Sequence, residues 1–259
     1  MKRWGLVKAI ASNAMAYKLD FILWAVLNPL QIAVYYFLWV SVYKYGGLEH
    51  VAGYSLSNMI TYYVLSTVVE ALTWAGIEED IEEDIVSGNM IQKMTKPMSV
   101  GEYFFFEHIG YKLLEVLLIV IPTLLSGYLL FGAQLTSFPN LLLFSFFSTT
   151  AMVMNFLLSL TVGALAFWMK KIHSLVKLKR TALFLLSGGL FPLELLPAGV
   201  RALFDLLPFK YLLYVPIKAY FGEVRAEHFL FSIGWVFLTY LCYKLVWRRA
   251  YKQFQGVGV

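Results

Sequence analysis

Long apolar runs separated by short polar segments are the main pattern of this chain of 259 residues. A helix needs ~20 apolar residues to cross the ~30 Å hydrocarbon core of a bilayer, because each residue adds ~1.5 Å. The pattern predicts six transmembrane helices, at about residues 21–43, 56–76, 110–131, 141–169, from 181 onward, and 228–247. Glycine and proline residues interrupt the fifth of these runs.

The composition is also that of a membrane protein. Hydrophobic residues make up 60% of the chain, charged residues only 14%, and the mean hydropathy is +0.69. Soluble domains carry about 25% charged residues. We therefore predict an all-α integral membrane protein with a single transmembrane domain over residues 1–259. Its one cysteine, Cys242, lies in the last apolar run, where we expect a buried and unreactive thiol.

Residues 1–20 combine four basic residues with apolar residues at near-helical spacing. This pattern is typical of a helix lying flat on an anionic membrane surface, with its Trp and Tyr side chains at headgroup depth. A cleaved signal peptide is the alternative, but no A-x-A-like cleavage site follows a short apolar core. We predict an uncleaved interfacial helix.

The basic residues determine the predicted orientation. With both termini in the cytoplasm, 16 of the 21 Lys and Arg residues lie on the cytoplasmic side. Cytoplasmic loops carry an excess of Lys and Arg, so we predict a multi-pass protein of the cytoplasmic membrane with both termini inside. These residues flank apolar runs and form no continuous stripe, so the pI near 9.1 does not indicate nucleic-acid binding.

A short and strongly charged segment, residues 77–88, lies between the second and third predicted spans. Ile77, Ile81 and Ile85 recur every four residues, which predicts a helix with one apolar stripe that ends at Gly88. One interpretation is a solvated loop helix. The other is a cytoplasmic docking helix, whose isoleucines enter a partner's groove and whose carboxylates meet its basic rim. Those carboxylates are Glu78, Glu79, Asp80, Glu82, Glu83 and Asp84.

The segment at residues 188–222 holds four of the eight prolines, so a continuous transmembrane helix cannot occupy it. We predict broken, partly re-entrant helices at the outer face that cap a central pathway, or alternatively an external loop that only packs on the spans. A short helix should begin at Pro197, with Arg201 and Asp205 placed to form an ion pair. The predicted outer gate consists of Gly188, Gly189, Pro192, Pro197, Pro208 and Pro216.

No motif for nucleotide binding, nucleophilic hydrolysis or zinc catalysis occurs in the chain. Glu70 and Asn155 are the candidates for a transmembrane pathway. A charge at the bilayer centre costs about 2.5–3.5 kcal/mol on insertion scales, so Glu70 should face protein or water. Interhelical hydrogen bonding also explains Asn155. Glu115 and Lys112 are close enough in sequence to form an ion pair at the membrane boundary.

Two stretches carry short motifs. After the charged segment comes Ile85-Val86-Ser87-Gly88-Asn89-Met90-Ile91, followed by Lys96-Pro97. Later come Leu186-Ser187-Gly188-Gly189-Leu190-Phe191-Pro192-Leu193 with Leu196-Pro197, then Leu207-Pro208-Phe209, Pro216 and Gly222. The first resembles the "I-x-S/R-G … L-x-K/R-P" element of the membrane-spanning subunits of ATP-binding-cassette (ABC) exporters of the ABC-2 class. The second is similar to that family's "SG…P…P" and "LPF…P…G" elements, and the order of elements resembles the family over nearly the whole chain.

This resemblance implies a permease subunit that exports a substrate with ATP hydrolysed by a separate ABC ATPase subunit. The chain itself would not be an enzyme and would bind no cofactor, since ATP and Mg²⁺ would bind to the ATPase. It would pair with an identical or related permease and contact membrane lipids. Residues 77–88 would be the coupling helix, with Ile77, Glu78, Asp80, Ile81, Glu82, Asp84, Ile85 and Gly88 as its coupling residues.

Two other functions stay open at this point. One is a non-transporting membrane scaffold that recruits a soluble protein through the acidic helix. The other is a membrane-embedded, lipid-modifying enzyme with Glu70 or His108 as its acid or base, although the chain shows no complete catalytic constellation.

Overall fold

The computed structural model describes residues 18–255 and the side chains of residues 22–253. The described chain is helical apart from turns and one isolated bridge between Val51 and Tyr54. Its α-helices are α1 Lys18–Gly46, α2 Leu56–Thr73, α3 Ile77–Ser87, α4 Met90–Met94, α5 Val100–Glu115, α6 Ile121–Phe131, α7 Phe138–Ala164, α8 Ala166–Met169, α9 His173–Leu186, α10 Ala198–Leu206, α11 Tyr214–Tyr220 and α12 Ala226–Gln255. The interfacial helix predicted at residues 1–20 falls almost entirely outside the described residues.

Within the described residues, five helical stretches are long and apolar enough to cross a membrane: Ile22–Gly46, Leu56–Ser87, Val100–Phe131, Phe138–Met169 and Ala226–Gln253. The prediction of an all-helical membrane protein is confirmed, whereas six continuous spans are not found. The fifth predicted span corresponds to α9, which has only 14 residues. At ~1.5 Å per residue it covers about 21 Å, less than the hydrocarbon core requires.

The third transmembrane stretch begins at Val100 and not near residue 110 as predicted. A capping box starts it, in which the Ser99 hydroxyl accepts from the Glu102 amide (3.2 Å) and the Ser99 amide donates to the Glu102 carboxylate (2.9 Å). A π-helical turn, Val116–Val120, then precedes Pro122. Proline lacks the amide that an α-helix needs, and the wider turn accommodates this loss within a continuous helical stretch.

Helices α7 and α12 lie side by side and run in the same direction. The Ser232 hydroxyl donates to the Thr150 hydroxyl (2.8 Å), and further along both helices the Trp247 indole donates to the Leu160 carbonyl (2.9 Å). Since α7 ends where α12 also ends, the chain between them has to return from one end of the bundle to the other. It does so through α9 and the broken helices that follow it.

The core has two main parts, one towards each end of the bundle. One joins α2, α7 and α11 around Tyr62, Phe147 and Ile217. The other joins α3, α5, α7 and α12 around residues that include Ile81 and Phe104. Helix α3 is therefore part of the folded body of the chain.

The outer surface of the transmembrane helices carries many exposed apolar side chains, for example Phe37 on α1 and Leu230 on α12. Such a surface suits lipid or another membrane helix rather than water. Cys242 lies on this surface, and the prediction that its thiol is buried is wrong.

Candidate functional site

Helix α3 occupies the segment predicted to be a charged helix, and its ends are set by glycine. Gly88 adopts the left-handed conformation (φ 79°) that ends the helix, as predicted, and Gly76 adopts it (φ 63°) immediately before the helix. Only glycine takes this conformation readily, because it has no Cβ. Glu78, Glu79 and Asp80 lie in the first turn, where the helix dipole favours negative charge.

The isoleucine stripe of α3 faces the chain's own transmembrane helices. Ile77 and Ile81 are 2% and 0% exposed, and they belong to the core that contains Phe104. A Cβ atom on Gly163 of α7 would lie only 2.5 Å from the Ile81 Cδ1 atom, so the two helices are in close contact. The stripe therefore fixes α3 to the spans, where we had expected it to face a partner's groove.

Four of the six carboxylates of α3 bind groups of this same chain. Their partners are Lys179 for Glu78, Arg180 for Glu79, the Ile172 amide for Glu82 (3.0 Å) and Lys93 for Asp84 (2.5 Å). Half of the six negative charges of α3 are therefore balanced by basic residues of this chain and are not available to a basic partner.

Two of these interactions connect α3 to α9. The Lys179 ammonium group also donates to the Ser159 hydroxyl (2.6 Å), and the Arg180 guanidinium binds both oxygens of Glu79 (2.6 and 2.7 Å). Arg180 lies 4.2 Å from the centre of the Trp74 ring. No local sequence signal links Glu78 to Lys179 or Glu79 to Arg180, because the partners are 101 positions apart.

The opposite face of α3 and the start of α4 remain exposed. Asp80 and Glu83 present carboxylates there, and Val86 and Ile91 present apolar side chains that are 65% and 55% exposed. We call Asp80, Glu83, Val86 and Ile91 the open face. It combines apolar contact area with polar groups, and protein-binding surfaces likewise have an apolar centre and a polar rim.

Glu70 and Asn155, the two predicted pathway residues, line a single cavity of 260 Å³. The Asn155 side-chain amide donates to the Thr73 carbonyl (2.7 Å), which connects α7 to the end of α2. The cavity also contacts α9 and the chain just before α11. Its other lining residues are Thr73, Trp74, Ala75, Lys179, Arg180, Leu183, Phe184, Ser187, Leu212 and Leu213.

The predicted ion pair between Lys112 and Glu115 is confirmed. The Lys112 ammonium group also donates to the carbonyls of Ala71 and Trp74, at 2.7 Å in each case. It thereby satisfies carbonyl groups that a helix C-terminus leaves without partners. This pair has a structural role at the end of α2, close to the cavity.

His108 lies in a different cavity, of 510 Å³, between α5, α7 and α12. Its ring stacks on Phe156, with 5.5 Å between the ring centres. The two residues considered as acid or base for a lipid-modifying enzyme, Glu70 and His108, therefore do not meet in one site. Among the described residues there is also no cluster of three or more His, Cys, Asp or Glu that could hold a metal ion.

The segment after α9 first runs along α2 towards the start of that helix. The Tyr62 hydroxyl donates to the Gly188 carbonyl (2.7 Å), and the Tyr63 hydroxyl donates to the Leu190 carbonyl (3.1 Å). The Tyr54 hydroxyl, beyond the start of α2, donates to Glu194 (3.3 Å). Residues 188–194 thus follow α2 from its middle to its first residue.

The chain then turns back before it leaves a second time. The Tyr214 amide donates to the Ser187 carbonyl (3.1 Å), so the start of α11 lies at the level where α9 ends. At the other end of α11, the Tyr220 hydroxyl donates to the Gln134 carbonyl (2.9 Å) in the loop between α6 and α7. The segment thus runs along α2 towards its start, returns to the end of α9 and runs to the loop between α6 and α7. Its re-entrant position at the outer face of a membrane stays a prediction.

Glu194 connects residues 188–194 to α11. Its carboxylate accepts from the Tyr214 hydroxyl (2.6 Å) and pairs with Lys218 (2.9 Å). Burial alone would raise the pKa of the Glu194 carboxyl. The hydrogen bonds from Tyr214 and Lys218, together with the Lys218 charge, outweigh burial and lower the pKa below its usual value. Glu194 therefore stays ionised, and no feature of its local sequence had marked it.

The predicted gate residues each occupy a turn or a helix start of this segment. Gly188 has a φ of 90°, and a Cβ atom on Gly189 would lie 2.9 Å from the Phe184 carbonyl oxygen. Pro192, Pro197 and Pro208 begin short helical elements, and Pro216 lies in the first turn of α11.

One predicted ion pair in this segment does not form. Asp205 pairs with Lys210 (2.8 Å) and not with Arg201. The i to i+4 spacing of Arg201 and Asp205 permits a pair on α10, but the chain reverses after α10 and brings Lys210 to the same carboxylate.

The comparison with known proteins assigns the family. Residues 30–258 match the sequence model of a family described as ABC-2 family transporter protein. No curated protein and no solved structure matches the chain. The matched range includes α3, the cavity that contains Glu70 and the whole segment 188–222. Membership in this family implies an ABC ATPase as a partner. The chain therefore belongs to the ABC-2 family of transporter proteins.

Proposed function

We propose that the chain is the permease subunit of an ABC exporter, which moves a substrate out across the cytoplasmic membrane. A separate ATPase subunit would bind ATP and Mg²⁺ and dock on the open face of α3. Both termini and α3 would lie in the cytoplasm, as the distribution of basic residues favours. The permease would work as a dimer with an identical or related chain.

The observation that supports this proposal best is the two-sided environment of α3. One side is fixed to the spans by Ile77 and Ile81, whereas the other side presents the open face. A push on the open face would move α2, which precedes α3 through Gly76, and α9, which is bound to Glu78 and Glu79. Both helices line the cavity, and α9 leads directly into the outer segment.

These contacts divide the predicted coupling residues into two groups. Ile77, Ile81 and Glu78 would position the helix, because they are buried in this chain. Asp80 would belong to the surface that meets the ATPase, together with Glu83, Val86 and Ile91, which are not among the eight coupling residues that the family resemblance implies.

The first prediction tests the open face with Val86→Asp. A carboxylate placed in an apolar contact should weaken docking of the ATPase about tenfold or more, since loss of a hot-spot residue costs about 2 kcal/mol or more. The measurement is the affinity of the purified permease for the ATPase that co-purifies with it, together with substrate efflux from vesicles that contain both subunits.

Leu48→Asp is the matched control, because Leu48 is also an exposed apolar residue but lies in the loop between α1 and α2. It should leave ATPase affinity unchanged. Equal affinity and efflux for Val86→Asp and the unmodified chain would contradict the proposal, as would efflux that continues without an ATPase.

A further inference from the structure

The cavity at Glu70 has an unbalanced charge. Its two basic residues, Lys179 and Arg180, are each paired with a carboxylate of α3. The Glu70 carboxylate, in contrast, has no hydrogen-bond or ion-pair partner among the described residues, and it faces the cavity. A site with one free carboxylate and neutralised bases attracts a cation.

Asn155 supplies a second acceptor in the same cavity. Its side chain is 8% exposed, and its amide NH₂ group is used by the Thr73 carbonyl. Its Oδ1 atom is buried and has no hydrogen-bond partner in the described part of the chain. A buried acceptor without a donor is costly, so a ligand that brings an N–H group would be favoured here.

The remaining wall is mostly apolar and aromatic and includes Trp74, Leu183, Phe184, Leu212 and Leu213. The volume of 260 Å³ is small for a drug-sized ligand. It is large enough for a compact hydrocarbon, since a dry apolar cavity of about 150 Å³ binds benzene.

We propose that this cavity binds a compact organic ammonium ion with at least one N–H group. The Glu70 carboxylate would provide the counter-charge, Asn155 Oδ1 would accept an N–H, and the apolar wall would contact the hydrocarbon part. That this cation is the transported substrate rests on the proposed function. The start of α11 and the end of α9 both border the cavity, so movement of the outer segment would open or close it.

The second prediction compares three probes of one shape: benzylammonium, benzyl alcohol and benzoate. Purified full-length chain in lipid nanodiscs should bind benzylammonium at least about tenfold more tightly than either of the others, since loss of one charge interaction commonly costs ~1.4 kcal/mol or more. Equilibrium binding of radiolabelled benzylammonium, with the other two as competitors, measures this preference. Tighter binding of benzoate would overturn the proposal, because Lys179 and Arg180 would then control the site.

Glu70→Gln keeps the shape of the side chain and removes its charge, so benzylammonium affinity should fall about tenfold while benzyl alcohol affinity stays the same. Glu70→Asp keeps the charge and should retain the preference for benzylammonium over benzoate, which also guards against loss of folding in Glu70→Gln. Glu49→Gln makes the same exchange of carboxylate for carboxamide at an exposed residue outside the cavity. It should leave benzylammonium affinity unchanged.

Unchanged benzylammonium affinity in Glu70→Gln would overturn the site assignment, and so would the absence of binding to the unmodified chain. These binding measurements need no ATPase. If the unmodified chain does not bind benzylammonium but Val86→Asp still reduces efflux, the cation site is disproved and the proposed function is not. If binding succeeds while Val86→Asp leaves efflux intact, only the proposed mode of coupling falls.

Discussion

At the scale of single residues, Gly163 decides how closely α3 approaches the transmembrane helices. A Cβ atom there would lie 2.5 Å from Ile81 Cδ1, and Ile81 is completely buried. The third prediction is therefore that Gly163→Ala destabilises the chain, because overpacking of a filled core costs ~1–3 kcal/mol and exceeds the gain in helix propensity. Thermal unfolding of the purified chain in detergent measures the loss.

Gly234→Ala is the matched control, since Gly234 lies in α12 and a Cβ atom there would meet no atom of the described residues within 4 Å. It should leave the unfolding temperature unchanged or raise it slightly. Ile81→Val removes the Cδ1 atom and should restore most of the stability of Gly163→Ala. If Gly163→Ala and Gly234→Ala behave alike, α3 does not pack on α7 as described.

At the scale of elements, the link between α3 and α9 combines a buried ion pair with a partly exposed one. Glu78 is almost fully buried, whereas Glu79 and Arg180 both reach solvent. The fourth prediction is that Lys179→Met lowers stability by about 3–5 kcal/mol, because it leaves the Glu78 carboxylate buried without a counter-charge. Arg180→Met should cost only about 1 kcal/mol or less, as exposed pairs usually do.

The double substitution Lys179→Met with Glu78→Met tests whether the two residues stabilise one another. Replacing both partners of a buried pair by apolar residues is often neutral, so the double variant should recover most of the loss in unfolding temperature. A double variant that is as unstable as the sum of its two single variants would show that Glu78 and Lys179 do not stabilise one another.

Local sequence predicted the long helices well and their packing partners poorly. Runs of apolar residues located α1, α2, α7 and α12, because helix formation in a membrane depends on nearby residues. The capping box at Ser99 and Glu102 was visible in the sequence and would have placed the start of α5 correctly. Periodicity revealed one apolar face on α3, but it carries no information on what covers that face.

The candidate site was predictable only in part, for the same reason. Glu70 and Asn155 stood out because polar residues within apolar runs are rare, and the structure does bring them together. Lys179 and Glu194 did not stand out, since their partners are far away in sequence. Such pairs depend on the path of the broken segment after α9, which glycines and prolines make possible but do not determine.

At the scale of the whole molecule, the side of the membrane that α3 faces decides whether ATP can act on this chain. The excess of basic residues predicts that side to be the cytoplasm. The ends of α7 and α12 lie near α3, since Leu160, Trp247 and Ile81 share one part of the core. The loop that contains Leu48 lies at the opposite end of α2.

The fifth prediction follows from this arrangement and uses single cysteines in a Cys242→Ser background, which is needed because Cys242 is exposed. In right-side-out vesicles, a membrane-impermeant maleimide should label Leu48→Cys but reach Glu83→Cys only after permeabilisation. Leu48 and Glu83 are both exposed on the surface of the chain. A difference in labelling between the two cysteines therefore reports the side of the membrane on which each lies, and not burial within the protein. Labelling of Glu83→Cys in sealed vesicles would place the open face where no ATPase could reach it, and the proposed mechanism would then be excluded.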